Sequence, residues 1–485
     1  MWLLPFFFLP WITIIHVILT PKSSSERLFN IGLIWSFVLL IYFIIVCIHS
    51  CFNVFLQHSI SYEWVSYLNL YLGWNGIIFN ADGVSLLFIG LSILLIPVCI
   101  LISYQSIVHL HKEFIILLFF ILFILIGVFT VMDIFGFYIL FESVLIPMFI
   151  LIGIWGSREQ KIIAAFYFFF YTLIGSLLML FSIFKIYTLI GTTSYSYLLS
   201  ISLPSDLQWW LFLGFFASLA VKIPMIPFHL WLPQAHVEAP IAGSVLLAGI
   251  LLKLGGYGFL RFVLPLFPIA IDYFAPIVIL LSVIAIFYAS IITCRQSDIK
   301  RLIAYSSVAH MGFVTLALFT HSHIGLIASV LMMLAHGLVS SGLFMTTSIL
   351  YVRHHSRILK YYRGLVTLMP FYSTLTLFLI LGNMSFPLTL NFIAELMSIT
   401  AALGFGTGVA LLSCTGLLLG TVYSLYLYNR IHFGSFSFHL KWTRDVIRFE
   451  YHSFIPLILL MILLGFCPNF LLSFLNGNLW WSISL

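Results

Sequence analysis

Charged residues are scarce in this sequence of 485 residues. Only 7% of the chain is aspartate, glutamate, lysine or arginine, whereas 63% is hydrophobic. Soluble domains carry about 25% charged residues, so a soluble globular protein is excluded and a polytopic membrane protein is predicted. The net charge of +6 therefore indicates membrane topology, and it gives no reason to expect nucleic acid as a partner.

Cysteine is also scarce, and no two cysteines have the C-x-x-C spacing of common metal and iron–sulfur sites. We interpret the thiols as structural. We expect no metal or other cofactor in this chain, since no motif for NADH, flavin or quinone is recognisable either. The N-terminal stretch lacks the basic residues and cleavage site of a signal peptide, so residues 2–19 are predicted to be the first membrane span. The six cysteines are Cys47, Cys51, Cys99, Cys294, Cys414 and Cys467.

Long hydrophobic runs make up most of the sequence. A membrane-spanning helix needs about 20 apolar residues, and we count about fourteen such runs. The prediction is an all-α polytopic membrane protein that forms a single membrane domain over residues 1–485. The predicted spans cover residues 2–19, 28–49, 83–104, 114–131, 134–153, 163–190, 207–237, 240–262, 274–293, 300–319, 324–349, 370–402, 407–430 and 454–475.

The basic residues sort to one side of this arrangement. We define side A as the side that carries the loop between the first two spans. It receives 16 of the 20 lysines and arginines, side B receives only Arg261, and Lys185, Lys222 and Lys253 lie within spans. Positive residues accumulate in loops on the cytoplasmic side or its equivalent, so side A is predicted to be that side and both termini to lie on side B. The basic residues of side A are Lys22, Arg27, Lys112, Arg158, Lys161, Arg295, Lys300, Arg301, Arg353, Arg357, Lys360, Arg363, Arg430, Lys441, Arg444 and Arg448.

Two of the predicted spans are interrupted. The seventh contains Pro224, Pro227 and Pro233, and proline breaks a helix because it lacks the backbone donor and clashes with the preceding turn. The twelfth is interrupted between Asn383 and Pro387. We therefore predict that spans seven and twelve are broken helices.

The positions of the two breaks predict an internal repeat. Spans five places apart in an alternating series run in opposite directions, so the chain would contain two inverted repeats of five helices, over residues 114–262 and 274–430. Broken helices at matching positions of inverted repeats mark the transport path in many carriers. The two breaks are thus predicted to flank such a path.

Six ionisable residues lie within the predicted spans, where charge is costly and usually functional. Histidine titrates near neutral pH, and desolvated lysines and carboxyl groups can also exchange protons there, so we predict a lateral proton relay. Structural roles are the alternative: a kinked helix with a snorkelling lysine, an ion pair, or histidines bonded to neighbouring helices. The six residues are Glu142, Lys222, Lys253, His310, His336 and Glu395.

Further polar residues lie at the ends of spans. His229, His236 and Glu238 close the broken seventh span near side A, where they either line a proton entrance or cap an interfacial turn. Asp133 and Asp298 precede the fifth and tenth spans, and both are predicted to mark helix N-termini.

Six short motifs surround these residues, and together they are specific. They are LFESVLIP at 140–147, VKIPMIPFHLWLP at 221–233, AHVEAP at 235–240, KLGGYG at 253–258, SSVAHMG at 306–312 and AHGLVSSGLF at 335–344. With these motifs the chain closely resembles the antiporter-like membrane subunits of the mitochondrial proton-pumping NADH:ubiquinone oxidoreductase, respiratory complex I. The resemblance extends over about residues 80–430 and implies a fold of fourteen helices with inverted repeats of five.

The resemblance also implies roles in the first repeat. Glu142 and Lys222 match the family's ion pair, and Lys253 matches the central lysine of its channel. Many relatives carry a basic residue just before the AHVEAP motif, where this chain has Gln234. The departure concerns the charge of the entrance region and leaves the relay itself unchanged.

In the second repeat the resemblance assigns His310 and His336 to the hydrated axis and Glu395 to its far end. Protons would enter from side A near the first broken helix, pass along the lysines and histidines, and leave toward side B near Glu395. Opening and closing of the ion pair in the first repeat would gate this transfer.

Partners and location follow from the same resemblance. NADH, FMN, iron–sulfur clusters and ubiquinone would be bound by partner subunits, beside antiporter-like neighbours in the membrane arm and membrane lipids such as cardiolipin. The chain would lie in the mitochondrial inner membrane, with side A in the matrix and side B in the intermembrane space.

The first alternative is a subunit of a cation/proton antiporter. The second alternative is a haem-bearing cytochrome, which would need paired histidines on facing helices, whereas His310 and His336 occur one per span. The third is a passive scaffold, and the buried lysines argue against it.

Overall fold

Helices form nearly all of the described chain. The computed structural model describes residues 2–22, 24–56, 68–69, 78–440 and 443–479. Lys441, counted above with side A, lies outside these residues. The elements of the first part are α1 (Leu4–Leu19), α2 (Ser25–Leu56), β1 (Leu68–Asn69), β2 (Ile78–Phe79), α3 (Gly83–Ser103), α4 (His111–Thr130), α5 (Ile134–Ser143), α6 (Leu145–Trp155), α7 (Lys161–Ile190), α8 (Tyr195–Leu199), α9 (Ser205–Lys222), α10 (Trp231–Glu238), α11 (Ile241–Leu246), α12 (Leu252–Gly258) and α13 (Leu264–Leu266).

The second part continues in the same way. The two short strands form an antiparallel pair between α2 and α3. π-Helical segments, Leu247–Leu251 and Phe259–Val263, join α11, α12 and α13 into one rod. The remaining elements are α14 (Pro268–Arg295), α15 (Ile299–Leu318), α16 (His323–His354), a 3₁₀ turn (Leu359–Tyr361), α17 (Leu365–Leu368), α18 (Pro370–Asn383), α19 (Leu390–Phe405), α20 (Thr407–His432), α21 (Arg448–Phe466) and α22 (Pro468–Asn478).

The helices confirm a polytopic membrane fold. Within the described residues, eleven helices are long and apolar enough to cross a membrane. The three other predicted spans correspond to α1, which has 16 residues, and to the interrupted pairs α9–α10 and α18–α19. Both helix breaks occur where the prolines and polar residues predicted them. The total of fourteen crossings and the two inverted repeats stay predictions.

The most buried helices lie at the centre of the structure. In the 18-residue apolar stretch of the rod Ile241–Leu266, every residue is buried. The fraction of buried residues in the corresponding stretch is 94% for α16 and 89% for α15, but only 33% for α20. A helix that is apolar all round and buried belongs to the interior of a helix bundle. The central helices also carry Lys253, His310 and His336, so these side chains lie in the interior of the helix bundle.

One local arrangement occurs twice, at the starts of α5 and α15. Asp133 caps α5 by accepting a hydrogen bond from Gly136 N at 3.1 Å, and Asp298 caps α15 by accepting one from Lys300 N at 2.9 Å. Each aspartate also forms an antiparallel bridge, one with Ser194 and the other with the segment after α16. The predicted capping roles of both aspartates are confirmed. The two capped helix starts lie five predicted spans apart.

Candidate functional site

The break after α9 is held together by side-chain and backbone bonds. Lys222 ends α9, and the chain becomes helical again at Trp231. The indole Nε1 of Trp231 donates to Val221 O at 2.9 Å, and Met225 N donates to Ala220 O at 2.9 Å. Backbone groups inside a membrane must be satisfied by protein or water. These bonds therefore explain how a non-helical stretch can persist beside Lys222.

Glu142 and Lys222 interact electrostatically without forming a close ion pair. Lys222 is 4% exposed, and its Nζ lies 4.3 Å from the centroid of the Phe141 ring. Glu142 is half-buried, and its Oε1 has no hydrogen-bond partner. The two charges are near enough to attract each other, but no N–O distance between them is within the 4.0 Å of an ion pair. The pair implied by the family resemblance is thus separated in this structure.

Lys253 lies in the central rod, completely buried. Its helix, α12, is flanked on both sides by π-helical segments, which occur frequently at functional sites. The Nζ atom donates to Ala248 O and, at 2.9 Å, to Nδ1 of His336 on α16. The lysine therefore bridges two central helices and directs its proton-carrying atom at a histidine.

Two glycines allow the helices around Lys253 to approach closely. A methyl group at Gly255 would lie 2.6 Å from Ile223 Cγ1 and 3.0 Å from Leu219 O, at the break of the seventh span. A methyl group at Gly337 would lie 3.0 Å from Gly249 O. Small residues let membrane helices pack backbone to backbone. Here that packing places the lysine both near the helix break and within bonding distance of His336.

A continuous set of contacts connects α12 with α19. The rings of His336 and His310 have centroids 5.6 Å apart. His310 Nδ1 donates to Glu395 Oε1 at 3.1 Å, and the residues His336, His310 and Glu395 are each at most 4% exposed. Lys253, His336, His310 and Glu395 thus form one buried row across four helices. Of the six predicted residues, the structure brings these four together, and the other two lie beside the first helix break.

Two polar residues near His310 extend this site. Asn383 Oδ1 lies 3.2 Å from His310 Nε2, and the Tyr423 hydroxyl lies 3.5 Å from the same nitrogen. Sequence reasoning named Asn383 only as part of the second helix break and missed Tyr423. The available signal for Tyr423 was a polar group within an apolar span. Tyrosine is so frequent in this chain, however, that this signal does not separate Tyr423 from the other tyrosines.

Unpartnered polar groups lie at the side-A end of the first break. His229 is 5% exposed and precedes α10, whereas His236 is completely buried near the end of α10, and neither ring nitrogen of His236 has a hydrogen-bond partner. The His236 ring stacks on Phe344 with centroids 4.4 Å apart. Glu238 Oε2 also lacks a partner. Buried polar groups of this kind are usually bonded to ordered water, so this end of α10 is suited to hold water.

A charged cluster closes the same region at the loops, and sequence reasoning did not single it out. Arg158 lies 4.0 Å from Glu238 and 3.8 Å from Asp298. Lys300 Nζ donates to Ala239 O at 2.7 Å. The cluster joins the loop after α6, the end of α10 and the start of α15, so it fixes the side-A end of the broken helix against both halves of the chain.

Arg357, in the loop after α16, completes this cluster. It is 5% exposed and donates to Val237 O and, at 2.6 Å, to Ser157 Oγ. Burial lowers the pKa of Arg357, and the neighbouring Arg158 lowers it further. An arginine buried against backbone carbonyls holds two loops together, so it is a structural member of the cluster rather than a proton carrier.

The described residues contain no group of three or more histidine, cysteine, aspartate or glutamate side chains that could hold a metal ion. The lysine, histidines and carboxylate of the site are groups that take up and release protons, and neighbouring members are in hydrogen-bond or ring contact.

Comparisons with known proteins agree on one class. Residues 131–420 match the family model for NADH:quinone oxidoreductase and Mrp antiporter transmembrane subunits. The membrane subunit fold is also found in the structure of respiratory complex I from Thermus thermophilus with bound NADH, with a TM-score of 0.87 and 25% identity over 98% of both chains. The helix breaks and the buried row of titratable residues thus belong to an antiporter-like membrane subunit.

Curated relatives narrow the class to one family. The NADH-ubiquinone oxidoreductase chain 4 of Metridium senile is 52% identical over 97% of this chain and 96% of its own length. The protein of the same name from Chondrus crispus is 46% identical over 98% of this chain and 96% of its own. The chain belongs to the NADH-ubiquinone oxidoreductase chain 4 family, and it is a membrane subunit of complex I. The alternative of a separate cation/proton antiporter is not favoured.

Proposed function

We propose that this chain carries protons across the mitochondrial inner membrane, from the matrix on side A to the intermembrane space on side B. The observation that carries the proposal is the buried row from Lys253 through His336 and His310 to Glu395. Each member is titratable, and neighbouring members are in hydrogen-bond or ring contact. A row of this kind moves a proton sideways through the membrane without exposing it to lipid.

Protons enter the row from side A beside the first broken helix. Support comes from the unpartnered nitrogens of His236 and the unpartnered Oε2 of Glu238, because buried polar groups of this kind are usually bonded to ordered water. Lys222 lies at the break itself and interacts electrostatically with the Glu142 carboxylate. Gln234, on α10, is uncharged and leaves uptake to these neighbours.

Glu142 and Lys222 act as the gate of this entrance. When the pair is closed, the carboxylate holds the lysine charge in place; when it is open, as here, that stabilisation is weaker and the lysine releases its proton more readily toward Lys253. The attraction between two charges in a protein interior is strong enough for a movement of a few ångströms to matter. The gate would thus convert a small side-chain movement into proton transfer.

Protons leave near Glu395, on the second broken helix. α19 begins after the break and continues to Phe405, and the Ser398 hydroxyl lies one turn beyond Glu395 and donates to its backbone oxygen at 2.7 Å. This direction leads to side B in the predicted topology, in which both termini also lie on side B. The second repeat, residues 274–430, would supply this exit, and the first repeat, residues 114–262, the entrance.

The energy for transport comes from other subunits. Moving one charge across the membrane costs about 2.3 kcal/mol per 100 mV, and this chain has no recognisable redox motif. NADH, FMN, iron–sulfur clusters and ubiquinone would be bound by partner subunits, and conformational change would reach this chain through antiporter-like neighbours in the membrane arm. The apolar outer helices would contact lipids, including cardiolipin.

The test replaces His310 by glutamine in the complete complex. His310→Gln keeps a polar side chain of similar length but removes the titrating ring, so proton uptake per NADH oxidised in proteoliposomes should fall while the complex still assembles. His432→Gln is the matched control, because His432 is also buried, at 1% exposure, and is bonded to Thr376 at 2.8 Å outside the row. Equal proton uptake in the two variants would contradict the proposal.

A further inference from the structure

The central rod carries two more polar residues on the side-B flank of Lys253. Tyr257 follows one turn after the lysine, and Arg261 follows one turn after that. Arg261 is also the only basic residue that the predicted topology assigns to a side-B loop or span end. The relay does not use either residue, although both lie between Lys253 and the side-B surface.

Tyr257 is fixed by two bonds to neighbouring helices. It is 2% exposed, and its hydroxyl donates to Phe129 O at 3.0 Å and lies 3.0 Å from Ser85 Oγ. Its ring also contacts Phe88 and Phe129, with centroids 6.0 and 5.1 Å away. A backbone carbonyl accepts a hydrogen bond but has no proton to pass on. The bond to Phe129 O therefore offers no onward step, and the other partner, Ser85, is itself buried on α3 at 2% exposure.

Arg261 lies beyond Tyr257 on the side-B flank of the rod. Its guanidinium forms an ion pair with Asp82, at the start of α3, and lies 5.0 Å from the Tyr195 ring centroid. A further contact joins it to Met132 Sδ at 3.2 Å. The side chain of Arg261 is 11% exposed and that of Asp82 is 32% exposed, so the carboxylate faces the surface and the arginine lies inside it.

Arginine in this position is a barrier to protons. The guanidinium does not release its proton at physiological pH, and a fixed positive charge in a narrow path repels protons and other cations. The lysine itself points the other way, because its Nζ donates to Ala248 O, in the preceding turn of the rod, and to His336. The hydrogen bonds of Lys253 thus lead away from the end of the rod that carries Tyr257 and Arg261.

We propose that Tyr257, Arg261 and Asp82 form a seal that closes Lys253 to the side-B aqueous phase and thereby directs its proton to His336. This inference rests on the proposed function, since a seal matters only if Lys253 carries protons. Without it, a proton taken up from side A could exchange with side B directly at Lys253, and the returning flow would dissipate the gradient before the second repeat was used.

The first test removes one hydroxyl. In complete complex reconstituted in proteoliposomes, Tyr257→Phe leaves Ser85 Oγ and Phe129 O free to bind a water molecule. The pH gradient should then decay at least twofold faster after NADH is exhausted, and proton uptake per NADH should fall. Tyr372→Phe is the matched control: Tyr372 is also buried, at 2% exposure, and donates to a backbone carbonyl, Thr346 O, at 3.2 Å.

A second variant tests the ionic part of the seal. Arg261→Met removes the fixed charge and leaves Asp82 as an exposed titratable group, so the leak should exceed that of Tyr257→Phe. If Arg261→Met does not assemble, Tyr257→Phe still decides the question. Assembled Tyr257→Phe complex whose gradient decays at the wild-type rate would overturn the seal.

A double variant distinguishes a proton path from loose packing. If the leak runs through Lys253, it should disappear in Lys253→Met/Tyr257→Phe. If it is a packing defect, the proton leak should be equal with and without Lys253→Met, and that result would refute the seal. The single variant Lys253→Met separates the two proposals. Normal pumping by it would refute the relay, while lost pumping together with a tight Tyr257→Phe complex would refute only the seal.

Discussion

Replacing Lys253 by methionine is the most direct perturbation of the buried row. Methionine has nearly the same length and is apolar, so the variant removes the proton-carrying atom and changes little else. Two hydrogen bonds are lost, those to Ala248 O and His336 Nδ1, at about 1.5–3 kcal/mol each for a charged donor. The desolvation of a completely buried ammonium, which costs several kcal/mol, is removed at the same time. We therefore expect the chain to fold and the complex to assemble.

Proton transfer, in contrast, should nearly stop. The 2.9 Å contact from Lys253 Nζ to His336 is within the reach of about 2.6–3.2 Å that direct transfer needs, and a thioether in its place carries no proton. Loss of a positioned acid–base group costs about 100-fold or more in rate, which corresponds to about 2.7 kcal/mol in the barrier. At that rate this chain would contribute nothing measurable to pumping.

The assay compares proton uptake with NADH oxidation in the same proteoliposomes. Lys185→Met is the matched control, since Lys185 also lies within a membrane helix but is exposed on the outer face of α7. We expect a lower proton uptake per NADH for Lys253→Met and an unchanged value for Lys185→Met. An unchanged ratio in assembled Lys253→Met complex would show that the buried lysine is structural or that protons bypass this chain.

The remaining predictions concern the row, its packing and a helix end. Glu395→Gln removes the carboxylate that His310 contacts at 3.1 Å, so proton uptake per NADH should fall in assembled complex; wild-type uptake would contradict the exit. Gly337→Ala places a methyl group 3.0 Å from Gly249 O, which should lower the thermal stability of the complex, and an unchanged melting temperature would refute the close-packing argument. Asp298→Ala removes the cap of α15 and should destabilise the chain by about 1 kcal/mol. The loss should appear in thermal unfolding, and Asp298→Asn should restore most of it.

Several features of the fold could be predicted from the sequence because they depend on local properties. Hydropathy identified the helices, since a membrane requires continuous apolar runs. Pro224, Pro227 and Pro233 located the first break because proline cannot continue a helix. Asp133 and Asp298 identified helix starts because aspartate accepts the free backbone bonds there. Each of these signals is contained in a few neighbouring residues.

The six relay candidates could also be identified, because an ionisable residue in an apolar run is unusual. Their contacts could not. His336 is 83 residues from Lys253 in the chain, and Glu395 is 85 residues from His310. In a membrane both the lipid-facing and the protein-facing sides of a helix are apolar, so hydropathy does not show which face is buried.

The sequence by itself thus determined the class of protein, the helices, their breaks and the residues able to exchange protons. Only the tertiary structure decided which of these residues touch, that Glu142 and Lys222 are separated, and that Tyr257 and Arg261 are bonded to neighbouring segments beyond Lys253. The physical reason is that apolarity and helix breaks are properties of short segments. Contacts between helices depend instead on how side-chain volumes fit across long separations in the chain.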